Sequence, residues 1–317
     1  SKVLWVVTGV VFVAVLLMSA LPVRAQFRVE ISGVGATQLP IAVVKFRDEE
    51  RSAPSLSISG IVRADLERSG VFRNIDAPGA LDENSQPVMT EWRGRAADAL
   101  VAGSVTRLAD GRFDIRFKLW DVVKGTVIGG HSTAVEAADL RLAAHRIADA
   151  IYEKLTGEPG VFSTRIAYVT RERDAKRFNY KLQIADSDGY NPVTVLSSVE
   201  PLMSPAWSPD GTRLAYVSFE QRRPILYMQN VVHGARTRIA EFNGINSAPA
   251  WSPDGTKLAL TLSRDGNPEI YVMRLSDNAL TRLTSHPAID TEPTWSPDGK
   301  EIAFTSDRGG KPQIYRM

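Results

Sequence analysis

The sequence predicts an α/β domain over residues 26–160, followed over residues 161–317 by an all-β propeller of WD-like repeats. Three observations lead there. Ala206-Trp207-Ser208-Pro209-Asp210-Gly211 returns as Ala250-Trp251-Ser252-Pro253-Asp254-Gly255, and again as Thr294-Trp295-Ser296-Pro297-Asp298-Gly299, with the tryptophans 44 residues apart both times. A constant period of that size marks four-stranded blades arranged around an axis. Ahead of the repeats, helical and strand periodicities alternate. The chain of 317 residues, 44% hydrophobic and 23% charged, is long enough for two cores.

One period shows why the repeat is a blade. Trp251 is a large apolar anchor, and Pro253-Asp254-Gly255 is a turn in which proline presets φ and glycine accepts a positive one. Lys257 to Leu262 then reads as a strand, Arg264 to Pro268 as a turn and Glu269 to Leu275 as an alternating strand. Leu280 to Thr284 completes the blade as a short outer strand.

The chain opens on Lys2 and an apolar run from Val3 to Met18, which is short for a bilayer crossing. Val23 and Ala25 occupy the positions before a signal-peptidase cut, so residues 1–25 read as a signal peptide and Gln26 as the mature N-terminus. A retained membrane anchor is the competing reading. With no cysteine, export brings no disulfide framework, and packing alone must hold the fold. The net charge of +2 argues neither for nor against an electrostatic partner, and no nucleic-acid-binding stripe is present.

Gln26-Phe27-Arg28-Val29-Glu30-Ile31 alternates apolar and charged residues. It is an edge strand or an arm that becomes a strand on binding. Leu39 to Phe46 is a nearly continuous apolar run, as a strand covered on both faces requires. Arg47 to Ser57 reads as a loop, Ile58 to Ser69 as a helix stopped by Gly70, and Val71 to Ile75 as a strand. Pro78 to Pro87 is loop-like. A hairpin turn at Ala109 to Arg112 separates Ala99 to Val105 from the alternating strand Phe113 to Leu119, and Lys124-Gly125 turns into Thr126 to Val135. Asp139 is placed to cap a helix whose stripe is Ala144, Ile147, Ala148, Ile151 and Leu155, with Gly157 to Gly160 as linker.

Arg165-Ile166-Ala167-Tyr168-Val169-Thr170 matches Arg213-Leu214-Ala215-Tyr216-Val217-Ser218, yet no Trp-Ser-Pro-Asp-Gly turn precedes it. The first blade therefore opens on its second strand. Gln313 to Met317 aligns with Glu269 to Met273, the third strand of a blade, so the residues present fall short of a closed ring and read as a fragment.

Leu202 to Gly211, Arg165 to Val169, Ala303-Phe304-Thr305-Ser306-Asp307 and Ile61 to Gly70 together resemble the TolB family of the Tol–Pal system. The likeness runs from the export segment to the last residue and includes the domain order. It implies a six-bladed propeller, of which this chain ends in the fourth blade, and a periplasmic interaction hub that links TolA to Pal in outer-membrane integrity and cell division. It implies further that Gln26, Phe27, Arg28, Val29, Glu30 and Ile31 form an arm for TolA. The innermost-strand residues Met203, Ser204, Ile245, Asn246, Ser247, Ala248, Thr291 and Glu292 match where the family meets Pal. These last residues vary between blades while the turn motif does not, which suits an asymmetric partner. Solvated loop residues are the plainer alternative.

An enzyme is disfavoured by the chemistry. His131, His145, His233 and His286 show no metal-ligand spacing, no nucleophile elbow is present, and there is no thiol. Asp186-Ser187-Asp188-Gly189 hints at a calcium loop but lacks the ligand series, and a hairpin turn explains it. Asp210, Asp254 and Asp298 read as turn acceptors, and the three tryptophans as core anchors. No cofactor or metal is expected, and the chain is expected to be monomeric. The alternative is the propeller portion of an exported peptidase of the prolyl-oligopeptidase kind, with its hydrolase domain beyond Met317.

Overall fold

Strand β1, Leu39–Val43, explains the first unit, because its side chains alternate between two cores. Ile41 and Val43 face one cluster, Ala42 and the following Val44 the other, and all four are buried. That is the physical content of an unbroken apolar run. The computed structural model describes residues 38–53, 56–174 and 177–317. Residues 1–25, read as a signal peptide, and the arm 26–31 lie outside the described residues.

Next in the unit come β2 (Lys45–Phe46), helix α1 (Glu49–Ser52), helix α2 (Ile58–Arg68), β3 (Phe72–Asn74), β4 (Ala80–Leu81) and helix α3 (Met89–Gly94). Then follow β5 (Ala99–Arg107), β6 (Phe113–Asp121), β7 (Thr126–Val135), a 3-10 turn at Ala137–Asp139 and helix α4 (Leu140–Thr156). Five strands form one sheet in the order β3-β1-β5-β6-β7, with β1 parallel to β3 and β5 and the remaining pairs antiparallel. Helices α2 and α4 cover one face through Ile58, Val62, Leu66, Ile147 and Ile151. Trp92 of α3 closes the other face with Leu100 and Trp120.

Three expectations change here. The loop read over Arg47 to Ser57 contains α1, whose Glu49 is buried and serves the start of α2: its Oε2 accepts from the Ser59 amide at 3.0 Å. Ser57 caps the same helix conventionally, accepting from the Gly60 amide at 3.1 Å. Asp139 precedes α4 as its N-cap but makes no side-chain cap bond, because a 3-10 turn already leads into the helix. Finally, the two compact units divide between Ser163 and Thr164 rather than after Gly160. The Asp149 carboxylate accepts from the Phe162 amide at 2.7 Å and the Ser163 amide at 3.1 Å, and the Phe162 ring packs edge-on to Tyr152. Gly160 permits this approach, since a Cβ there would fall 2.5 Å from the Asp149 Cα.

The second unit begins with β8 (Arg165–Asp174), β9 (Arg177–Asp186) and β10 (Val193–Ser198), a three-stranded sheet without an innermost strand. Two complete blades follow. One is β11 (Leu202–Trp207), β12 (Arg213–Ser218), β13 (Ile225–Asn230) and β14 (Arg236–Ala240). The other is β15 (Asn246–Trp251), β16 (Lys257–Leu262), β17 (Glu269–Arg274) and β18 (Leu280–Arg282). The last sheet is β19 (Asp290–Trp295), β20 (Ile302–Ser306) and β21 (Gln313–Arg316). Neighbouring blades bury each other: Leu214 and Tyr216 pack toward Leu182 of the first sheet, Ala215 and Val217 toward Leu258 and Leu260 of the third.

The three turns are built alike. Ser208 Oγ donates to Asp210 Oδ1 at 2.5 Å and accepts from the Arg213 amide, while Asp210 Oδ1 also takes the Thr212 amide. Ser252 with Asp254, and Ser296 with Asp298, repeat the arrangement. Gly211, Gly255 and Gly299 hold φ of 66°, 69° and 70°, which glycine adopts without a Cβ penalty. Asp186 to Gly189 is likewise a turn, with the Gly189 amide donating to the Asp186 carbonyl at 2.8 Å.

These bonds stabilise the charged carboxylates. The serine hydroxyl first, then the amide and hydroxyl of the following threonine, hold Asp210 and Asp254 down at about 2, against an ordinary 3.8. The folded form is thus the weaker proton acceptor, so the stabilisation is complete above 3.8 and drains away as pH falls toward 2. The melting temperature of the Asp210→Asn/Asp254→Asn double variant should therefore fall less steeply than that of the native chain between pH about 4 and about 2. Parallel slopes in calorimetry across that window would remove the turns from acid unfolding.

Candidate functional site

The innermost strands β11, β15 and β19 lie side by side, and each begins with a bulge. Register slips between Met203 and Ala206, between Ser247 and Ala250, and between Thr291 and Thr294. Inside each bulge one residue takes the left-handed conformation: Ser204 at φ 50°, Ala248 at 48° and Glu292 at 53°. Each stands directly before a proline, Pro205, Pro249 and Pro293. Positive φ is costly for any residue with a Cβ, and a following proline also pushes its predecessor toward extended backbone. Such strain persists only where surrounding structure imposes it, and it concentrates at sites of function.

One backbone shape thus presents a hydroxyl, a methyl and a carboxylate in three successive blades. Glu292 is exposed, Ser204 half-buried, and Ala248 only 5% exposed. Met203 and Ile245 put apolar surface into solvent beside them, at 51% and 42% exposure. Ser247 and Thr291 are half-buried, and the Thr261 hydroxyl donates to the Thr291 hydroxyl at 3.4 Å. The assembled groups suit contact with a partner: apolar caps, small residues between them and one anionic tip.

Asn246 differs from the rest of the predicted set. It is fully buried, its Nδ2 donates to the carbonyls of Phe242 (2.7 Å), Pro224 and Gly244, and its Oδ1 accepts from the Phe242 amide. Its side chain holds the loop that enters β15. Asp290 stands at the same place in the next blade, also fully buried, with its Oδ2 accepting from Arg308 at 2.7 Å. Burial pushes this carboxyl upward, but hydrogen bonds from Ser306 and Arg308 outweigh it and leave it below its ordinary value. Sequence reasoning missed both anchoring roles. It also missed the three strained residues, although the recurrent X-Pro-X-Trp was there to be read.

Fold and site together define a chain with an α/β unit ahead of WD-like propeller blades whose innermost strands carry side chains that vary from blade to blade. Residues 152–317 match the TolB beta propeller domain, and residues 27–128 the TolB amino-terminal domain. The chain belongs to the TolB family. The Tol-Pal system protein TolB of Albidiferax ferrireducens is 60% identical over 73% of this chain and 53% of its own length. That of Bordetella pertussis is 49% identical over 74% of this chain and 53% of its own. The crystal structure of TolB from Acinetobacter baumannii, 43% identical, matches 92% of this chain and 71% of that one with a TM-score of 0.79. The chain spans about half the length of the curated relatives it matches.

Because Ala248 holds a positive φ that glycine adopts without penalty, Ala248→Gly should leave thermal stability unchanged or raise it. Ala250→Gly, in the regular part of the same strand, should cost about 0.5–1 kcal/mol. Equal losses in urea melts of the two variants would show that the backbone at Ala248 is relaxed.

Proposed function

We propose that this chain is the docking component of a Tol–Pal assembly in the periplasm, reached through the export segment at residues 1–25 and acting without catalysis. The observation that carries the reading is the mouth. A constant strained backbone offers three different side chains at Ser204, Ala248 and Glu292, as recognition of an asymmetric partner needs. The names of the relatives and the match of both units to the same family support the system. The match of the N-terminal unit favours this reading over a peptidase propeller.

In this reading Pal meets the mouth through Met203, Ser204, Ile245, Ser247, Ala248, Thr291 and Glu292, with Asn246 shaping the loop beneath. Gln26 to Ile31 pairs as an added strand with TolA, with Phe27, Val29 and Ile31 filling pockets on one face. Joining the two partners would couple the inner membrane to the outer one, serving envelope integrity and constriction at division.

Two lesions in the full-length protein should separate the partners. Deleting Gln26 to Ile31 should abolish TolA binding with Pal binding retained. Thr291→Arg, at a half-buried position, should weaken Pal binding with TolA binding spared, whereas Ala248→Trp, at a position only 5% exposed, should weaken Pal binding and also cost about 1–3 kcal/mol of stability through overpacking. Calorimetric Pal affinity unchanged in both Ala248→Trp and Thr291→Arg would move the docking site elsewhere.

A further inference from the structure

The first sheet of the propeller is longer than the repeat requires. β8 and β9 each run ten residues, where β12, β13, β16 and β17 each run six. Arg165 to Thr170 corresponds to Arg213 to Ser218, so Arg171 onward in β8 and Arg177 to Tyr180 in β9 are an addition to the blade. In the pairing, Arg171 stands opposite Tyr180 and Arg173 opposite Phe178, which places these four side chains on one face. The Arg171 guanidinium lies 4.8 Å from the Phe178 ring centre and that of Arg173 lies 6.0 Å away. Both arginines are exposed, and so is Phe178, at 42%.

The two faces of the hairpin differ in charge balance. On the opposite face Lys181 pairs with Glu172 at 2.7 Å. Among the described residues neither Arg171 nor Arg173 has a carboxylate partner. A guanidinium resting on an aromatic ring keeps its rigid fork of N–H donors for a planar acceptor, and carboxylates match it in bidentate fashion. The backbone adds a second feature. β8 is the edge of its sheet, ordered β10-β9-β8. In the complete blades the innermost strand pairs no further along the second strand than Ser218 or Leu262, the equivalents of Thr170. The edge at Arg171 to Arg173 therefore lies beyond the register that the repeat itself fills.

We propose that this hairpin face docks an extended acidic peptide segment of a partner protein. The segment adds along the β8 edge beyond Thr170, its alternate carboxylates seat on Arg171 and Arg173 on the face that carries Phe178, and the residues between them point to the opposite face. Main-chain pairing selects an extended peptide over a lipid headgroup, since an edge strand offers both donors and acceptors in register.

The test uses the full-length protein and a fluorescein-labelled peptide of alternating Glu and Val, with an alternating Gln and Val peptide as control, read by anisotropy at low and high salt. The Glu peptide should bind and weaken with salt. The Gln peptide, and the Arg171→Gln/Arg173→Gln double variant with the Glu peptide, should each bind about tenfold or more weakly, the loss expected for charge-assisted pairs. Lys181→Gln, on the opposite face, should change affinity by less than about twofold, as an exposed ion pair predicts. Methylating alternate amides of the Glu peptide should abolish binding if it pairs as a strand. Equal binding of the two peptides, an unaffected double variant, or retention after methylation would each overturn the proposal. So would arginine-dependent binding to phosphatidylglycerol vesicles without peptide binding. A double variant that merely aggregates would assign the arginines to protecting the edge, and that result also counts against docking.

Discussion

The indole N–H of each blade's tryptophan reaches back to the blade before it, and the second unit depends on that reach. Trp251 Nε1 donates to the Ala206 carbonyl and Trp295 Nε1 to the Ala250 carbonyl, each at 3.1 Å. Ala206 and Ala250 are the residues preceding the previous tryptophans, so one bond geometry propagates with the 44-residue period. The Trp207 Nε1 has no partner among the described residues, in which the first sheet opens on its second strand. Arginines ride on the same rings: Arg165 sits 5.0 Å from the Trp207 centre and Arg213 4.8 Å from that of Trp251. A blade's apolar faces are covered only by its neighbours, so bonds that set the angle between blades decide whether those faces meet.

Much of this was legible because it is local and periodic. Proline, aspartate and glycine at fixed offsets from tryptophan demand a particular turn, and the turns are found at all three places. Leu39 to Phe46 likewise needed no partner to be recognised as doubly buried. What escaped the sequence is what depends on distant groups. Glu49 looks like a loop acid until α2 arrives to present the Ser59 amide. Phe162 looks like the start of the propeller until Asp149, thirteen residues earlier, is seen to hold its amide.

The mouth was legible in position and less so in mechanism. Variation between blades marked the residues before each tryptophan, but alternation along a strand gives no sign of a bulge. Asn246 and Ser247 pair in register ahead of the bulge, so alternation turns Asn246 inward to the loop carbonyls and Ser247 the other way, and the bulge re-aims only Ala248 and Pro249 after them. Residue-by-residue variability therefore mixed anchors with contact groups. Asp290 makes the point again: it varies from Asn246 and Leu202 at the same place, yet all three are buried.

The two units also differ in how far apart in sequence their pairings lie, and that bears on the order of assembly. Every ladder in the second unit joins neighbouring strands through a short connection, as in Leu262 with Glu269 or Ser218 with Ile225. The first unit must instead bring Ile41 beside Ala99, in parallel, before β1 joins the β5-β6-β7 hairpins. Loop-closure entropy has to be met before such a contact returns anything, whereas a hairpin closes on a timescale of about 1–10 μs. The hairpins of each blade therefore close locally, though a blade's faces are covered only once its neighbours have formed, whereas the α/β unit waits on a long-range contact. A chain emerging N-terminus first meets its slow step before any blade has been made.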